Sequence, residues 1–93
     1  MITVKEAIKA AVAFAEEVLD PAIAVTARLE EVSDEPVGNR EAWVLTLSFA
    51  KESWMMSTVE RVQGAHGREY KTFAVDKETG RVLSMKIRQL AFS

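Results

Sequence analysis

His66 is the one side chain in this 93-residue sequence whose ordinary pKa lies near neutrality, and no cysteine accompanies it. A structural zinc site takes four ligands, mostly Cys and His, so His66 would have to recruit three carboxylates. No metal and no cofactor is expected on that ground. The run His66-Gly-Arg-Glu69 lacks the paired histidines of a metalloprotease helix, and Gly64-Ala-His-Gly67 lacks the lysine and the following helix of a phosphate loop. Serine nucleophiles are available in Ser48, Ser53, Ser57 and Ser84. Each would need His66 as base together with an oxyanion hole, and no spacing in the sequence brings these together. Carboxylate pairs such as Glu30-Glu31 and Glu16 with Asp20 read as surface charges. The residues therefore point to a protein without catalytic residues.

The elements that would position any such group are legible from periodicity. Thr3 followed by Glu6 has capping-box spacing, and Val4, Ala7, Ile8, Ala11, Val12, Phe14, Ala15, Val18 and Leu19 fall on one helical stripe. The spacing predicts a helix over residues 4–19, stopped by Asp20-Pro21. Its charges oppose its dipole, with Lys5 and Lys9 near the start and Glu16, Glu17 and Asp20 near the end. Burial of the apolar stripe outweighs that cost.

Beyond Pro21 the period becomes two. Ile23, Val25, Ala27 and Leu29 alternate with Ala24, Thr26, Arg28 and Glu30, which predicts a first strand. Asp34-Glu-Pro-Val-Gly-Asn39 reads as a connection, and Trp43, Leu45, Leu47 and Phe49 form the buried row of a second strand. Residues 70–88 read as a hairpin, with Phe73 and Val75 inward on one strand and Leu83, Met85 and Ile87 inward on the other. Asp76 accepts from the turn backbone, Lys77 and Glu78 suit its centre, and Gly80 supplies a positive φ. On this reading Lys77→Ala is almost neutral.

The predicted fold is a single α+β domain over residues 1–93. One N-terminal helix packs on a four-stranded antiparallel meander sheet, in two layers. Thr26, Arg28, Thr46, Ser48, Tyr70, Thr72, Ser84, Lys86 and Arg88 would stand on the face away from the helix. Residues 51–67 fit none of these elements. Their Trp54, Met55, Met56, Val59 and Val62 make them a candidate recognition segment or core cap.

Charge and composition narrow the partner. Residues 1–60 carry 5 Lys/Arg against 11 Asp/Glu, whereas residues 61–93 carry 7 against 3. The acidic and basic portions are expected to lie beside each other within the fold or between two copies. The net charge of −2 and the lack of a basic, aromatic-studded stripe exclude nucleic acid as the expected ligand. The apolar run Ala10–Ala15 is too short for a membrane span or a signal peptide, and the absence of cysteine suits a reducing compartment, so the expectation is cytoplasmic.

The segment Tyr70–Met85, with Asp76, Thr79 and Gly80 forming Asp-x-x-Thr-Gly between two strands, resembles the PepSY family. More broadly the order of elements is similar to cystatin-like helix-on-sheet domains. The resemblance implies a protein-binding or inhibitory module that can pair through its sheet, and the same architecture serves toxin immunity proteins and small-ligand pockets. The expected function is thus a non-catalytic protein-interaction module, with an inhibitor or immunity-type protein as the specific form considered. Its candidate contacts are Trp54, Met55, Met56, Val59, Val62, Arg28, Tyr70, Lys86 and Arg88, and its partner is another protein or a second copy in a homodimer. The competing reading is a small-ligand binder or enzyme with a pocket between helix and sheet.

Overall fold

The structure, a computed structural model, describes residues 1–51 and 68–88. Helix α1 spans Val4–Val18. It begins where the capping box predicts: the Glu6 N–H donates to Thr3 Oγ1 at 3.2 Å and the Thr3 N–H donates to Glu6 Oε1 at 3.0 Å. Its fully buried residues are Ala7, Ala11 and Ala15, one turn apart. Small side chains on that line let the helix axis come close to the sheet, while Ile8, Val12 and Phe14 pack on either side.

Asp20-Pro21 ends α1 but also starts a second helix. Asp20 Oδ1 accepts from the Ala22 N–H at 2.9 Å, and Pro21 occupies the first turn of α2, Pro21–Ala24. An N-cap followed by proline at the first helical position is a helix start as much as a helix stop. The expected first strand over residues 23–30 is corrected accordingly. Ile23 and Ala24 turn inward, Val25 is 82% exposed, and the strand begins only at Arg28.

Strand β1 then runs Arg28–Val37, through the residues expected to form a connection. Pro36 is tolerated there because β1 is an edge strand and needs no donor on its outer side. The connection shrinks to Gly38-Asn39, with Gly38 at φ +64° and Asn39 at negative φ, the type II′ hairpin that favours glycine first. Strands β2 (Arg40–Ala50), β3 (Arg68–Asp76) and β4 (Val82–Arg88) complete an antiparallel sheet in the order β1-β2-β3-β4. The predicted α+β architecture of one N-terminal helix on a four-stranded meander is the one observed.

The turn between β3 and β4 follows its sequence. Asp76 Oδ1 accepts from the N–H groups of Glu78 and Thr79 at 2.8 and 3.3 Å, the Gly80 N–H donates to the Asp76 carbonyl at 2.9 Å, and Gly80 sits at φ +74°. Burial alone would raise the pKa of Asp76, but these two N–H groups and the Arg40 guanidinium, which donates to Oδ2, hold it below the usual value. Lys77 departs from expectation. It is only 6% exposed, its Nζ lies 4.3 Å from the centroid of the Trp43 ring, and it pairs with Asp34 at 2.5 Å. Its backbone accepts from the Ile2 N–H and donates to the Glu41 carbonyl, which ties the chain start and β2 to this turn.

Leu45, Leu47, Phe49, Phe73 and Val75 make the sheet side of the core, with Phe73 edge-on to Phe14 at 6.4 Å. A bulge in β4 pairs Val75 with Val82 directly after Ala74 with Ser84, leaving Leu83 over. The predicted inward row of Leu83, Met85 and Ile87 is therefore altered. Val82 and Met85 pack against the core, whereas Leu83 is 37% and Ile87 67% exposed at the outer margin.

Candidate functional site: the far face of the sheet

The pleat and the register sort the side chains opposite the helix into transverse rows. Arg28, Ser48, Tyr70 and Arg88 are successive cross-strand partners from β1 to β4, and Glu31, Thr46, Thr72 and Lys86 form the next row. Ser33, Val44, Ala74 and Ser84 form a third. Four of the candidate contact residues, Arg28, Tyr70, Lys86 and Arg88, are thus gathered on one surface, three of them in one row. Trp54, Met55, Met56, Val59 and Val62, like His66, Ser53 and Ser57, lie outside the described residues. Thr26 is not in a strand: its hydroxyl donates to the Ile23 carbonyl and accepts from the Ala50 N–H, fastening α2 to the end of β2.

Two arginines lie across this face. Arg88 Nη1 reaches from β4 to Glu31 Oε2 at 2.6 Å and to Thr46 Oγ1 at 2.9 Å, spanning the width of the sheet. Arg68 Nε donates to Ser48 Oγ at 2.8 Å, and its Nη2 donates to the carbonyls of Thr26 and Ser48 at 2.7 and 2.9 Å. Ser48 Oγ in turn donates to Glu30 Oε2 at 2.6 Å, which also accepts from Arg28 Nε at 2.9 Å. Hydrogen bonds from Ser48 and then Arg28 lower the Glu30 pKa, against the opposing effect of desolvation. A serine hydroxyl on a carboxylate has the outline of an activated nucleophile, but Ser48 is wholly buried beneath these side chains and is closed to a substrate. The cluster is a brace that fixes Arg28 and Arg68 in place.

Between the rows lies a depression of about 230 Å³, lined by Glu31, Ser33, Glu35, Val44, Thr46, Thr72 and Arg88. It is smaller than the ~300–1,000 Å³ typical of small-molecule sites, and it lies on the opposite side of the sheet from the pocket considered between helix and sheet. That interlayer space holds Ala7, Ala11 and Ala15 against the core residues of β2 and β3. Among the described residues, no three His, Cys, Asp or Glu side chains converge as metal ligands, and no buried side-chain polar atom lacks a hydrogen bond. No helix among them is long and apolar enough to cross a membrane.

Periodicity identified which residues share this surface, but two features escaped it. Arg68, an arginine after a glycine, carries no pattern of its own in the sequence; the register of β2 and β3 sets it beside Ser48. The reach of Arg88 across the two central strands to Glu31 depends on the order of strands in the sheet. Set against protein-family models, curated proteins and solved structures, the chain matches none.

Proposed function

We propose that this chain is a non-catalytic protein-interaction module of inhibitor or immunity type that engages its partner through the far face of the sheet. The observation that carries this reading is the state of the cationic side chains there. Arg28 and Arg88 are exposed yet held by Glu30 and by Glu31 with Thr46, so they are ordered before any partner arrives. Binding groups that are already ordered lose less conformational entropy on association. Lys86, exposed in the row beside them and without an ion pair among the described residues, adds a further positive charge to the same surface. The turn built from Asp76, Thr79 and Gly80 between two strands supports the PepSY-like and cystatin-like comparison, at the level of fold analogy. The reading places the module in the cytoplasm, with no cofactor and with neither nucleic acid nor membrane as its ligand.

The test is affinity capture from the native host with the chain as bait, followed by reconstitution of the captured protein as a purified pair. Arg28→Glu and Lys86→Glu should each weaken the purified pair, by about tenfold for a charge reversed within a contact surface, with thermal unfolding little changed. A pair that binds both variants as tightly as wild type would move the interface elsewhere. Among the described residues, the depression beside Arg88 is the observation that favours small-ligand binding. It would be preferred if that depression bound a metabolite of defined stoichiometry.

A further inference from the structure

The fold separates the two charge populations that the sequence brings to mind as neighbours. Among the described residues, β1 and β4 are the two outer strands of the sheet. β1 carries Glu30, Glu31, Asp34 and Glu35 against the single Arg28, whereas β4 carries Lys86 and Arg88 and no acid. On the helix side each outer strand also shows apolar side chains at its margin: Leu29 and Val32 on β1, both 41% exposed, and Leu83 and Ile87 on β4. The two margins are complementary in charge on one face and alike in apolar character on the other.

Going beyond the far-face reading, we infer that the two edges of the sheet bind a second copy of this chain, with β4 of one molecule adding to β1 of the next, head to tail. The topology permits it. An antiparallel sheet with an even number of strands has its outer strands running in opposite directions, so a copy shifted sideways places β4 antiparallel to β1 with both helices on the same side. Continuing the rows without stagger sets Ile87 opposite Leu29 of the partner subunit, Met85 opposite Val32 of the partner subunit and Lys86 opposite Glu31 of the partner subunit. It also sets Arg88 opposite Arg28 of the partner subunit, a like-charged pair that opposes the contact, moderated because each chain holds its own Arg88 on Glu31 and its own Arg28 on Glu30. The paired stretch leaves out Pro36, which lies toward the hairpin end of β1. The reverse choice, β4 against β4 about a two-fold axis, would crowd Lys86 and Arg88 of the two copies on one face. Like charges so placed oppose pairing. The β1 bulge between Leu29 and Glu31 guards that edge, so the association is weak and depends on concentration and salt.

Sedimentation of the full chain from about 10 μM to about 1 mM, the span over which contacts of −4 to −7 kcal/mol become populated, reads the first outcome. The average mass should rise continuously past the dimer, because a heterologous contact leaves a free edge at each end, and the rise should diminish in high salt. Ile87→Lys blocks the β4 edge and Leu29→Lys blocks the β1 edge, both at exposed positions. Each variant alone should remain monomeric, and an equimolar mixture should form a dimer and stop there, since each supplies the edge that the other lacks. If Leu29→Lys does not fold by circular dichroism, Glu31→Lys takes its place on the same strand. A monomer throughout the range, a wild type that stops at the dimer, or two folded variants whose mixture stays monomeric would each overturn the inference. None of these results would touch the reading of the far face as a surface for a different protein.

Discussion

Replacing Lys77 separates the turn as read from sequence from the turn as folded. A lysine at the centre of a solvated turn can be cut to alanine at little cost. In the structure its side chain is 8% exposed, with Nζ 4.3 Å from the Trp43 ring centroid and 2.5 Å from Asp34 Oδ1. The cation over a largely desolvated indole contributes about 1–2 kcal/mol. The ion pair adds only about 0.2–1 kcal/mol, because Asp34 is 61% exposed and screened by solvent. The buried methylenes beyond Cβ contribute about 0.8 kcal/mol each, which is largely offset by the ~1.5–2 kcal/mol of rotamer entropy lost in ordering a lysine. The expected loss for Lys77→Ala is about 2 kcal/mol. At ~4–8 °C per kcal/mol for a domain of this size, this lowers the Tm by about 8–16 °C. Urea titrations of wild type, Lys77→Ala, Lys77→Met and Trp43→Leu, with the double variant, measure it. Lys77→Met keeps the stem and should lose half as much or less, and the Lys77 and Trp43 substitutions should couple by about 1 kcal/mol. An alanine variant within about 0.5 kcal/mol of wild type, the range of ordinary surface substitutions, would refute the packing of Lys77 on Trp43.

Gly80→Val should lower stability by about 1–3 kcal/mol in the same titrations. The strain comes from φ +74° and not from crowding, since an added Cβ would meet only Ile2 Cγ2 at 3.7 Å. Asp76 has its pKa lowered in the folded state, so its contribution is complete above the unfolded value of about 3.9 and is lost as pH falls through the folded value. Acid titrations of thermal stability should show wild type losing stability below about pH 4 more steeply than Asp76→Asn, and parallel curves would contradict this. Ala11→Leu, on the fully buried line of α1, should cost about 1–3 kcal/mol by forcing the helix away from β2 and β3, whereas Ala13→Leu, on the exposed side, should be nearly neutral. Equal melting temperatures for these two would contradict the packing of the layers.

What the sequence by itself determined is local or periodic. The capping box of Thr3 and Glu6, the turn of Asp76 and Gly80, and the alternation of Trp43 to Phe49 each follow from bonds or faces set within a few residues, and each is present. They suffice for one helix on a four-stranded meander and for placing Arg28, Tyr70, Lys86 and Arg88 on its outer face. Tertiary structure decided the rest, wherever two local readings competed. Asp20-Pro21 serves equally to stop a helix and to start one, and the burial of Ala24 beside the core selects the start. Asp34 to Val37 has turn chemistry, yet pairing with Arg40 to Trp43 supplies backbone bonds that a loop would leave to water, and the edge position removes the objection to Pro36. The bulge at Leu83 exchanges Val82 for Leu83 in the core because the turn and the register of Phe73 with Met85 together leave one residue over. Lys77 is buried because the order of strands brings Trp43 and Asp34 to the mouth of its turn, more than thirty residues away along the chain. Strand order also sets the acid-rich β1 and the basic β4 at opposite edges, so that Arg88 meets Glu31 only by reaching across the sheet, while Lys77 meets Asp34 from the turn that follows β3.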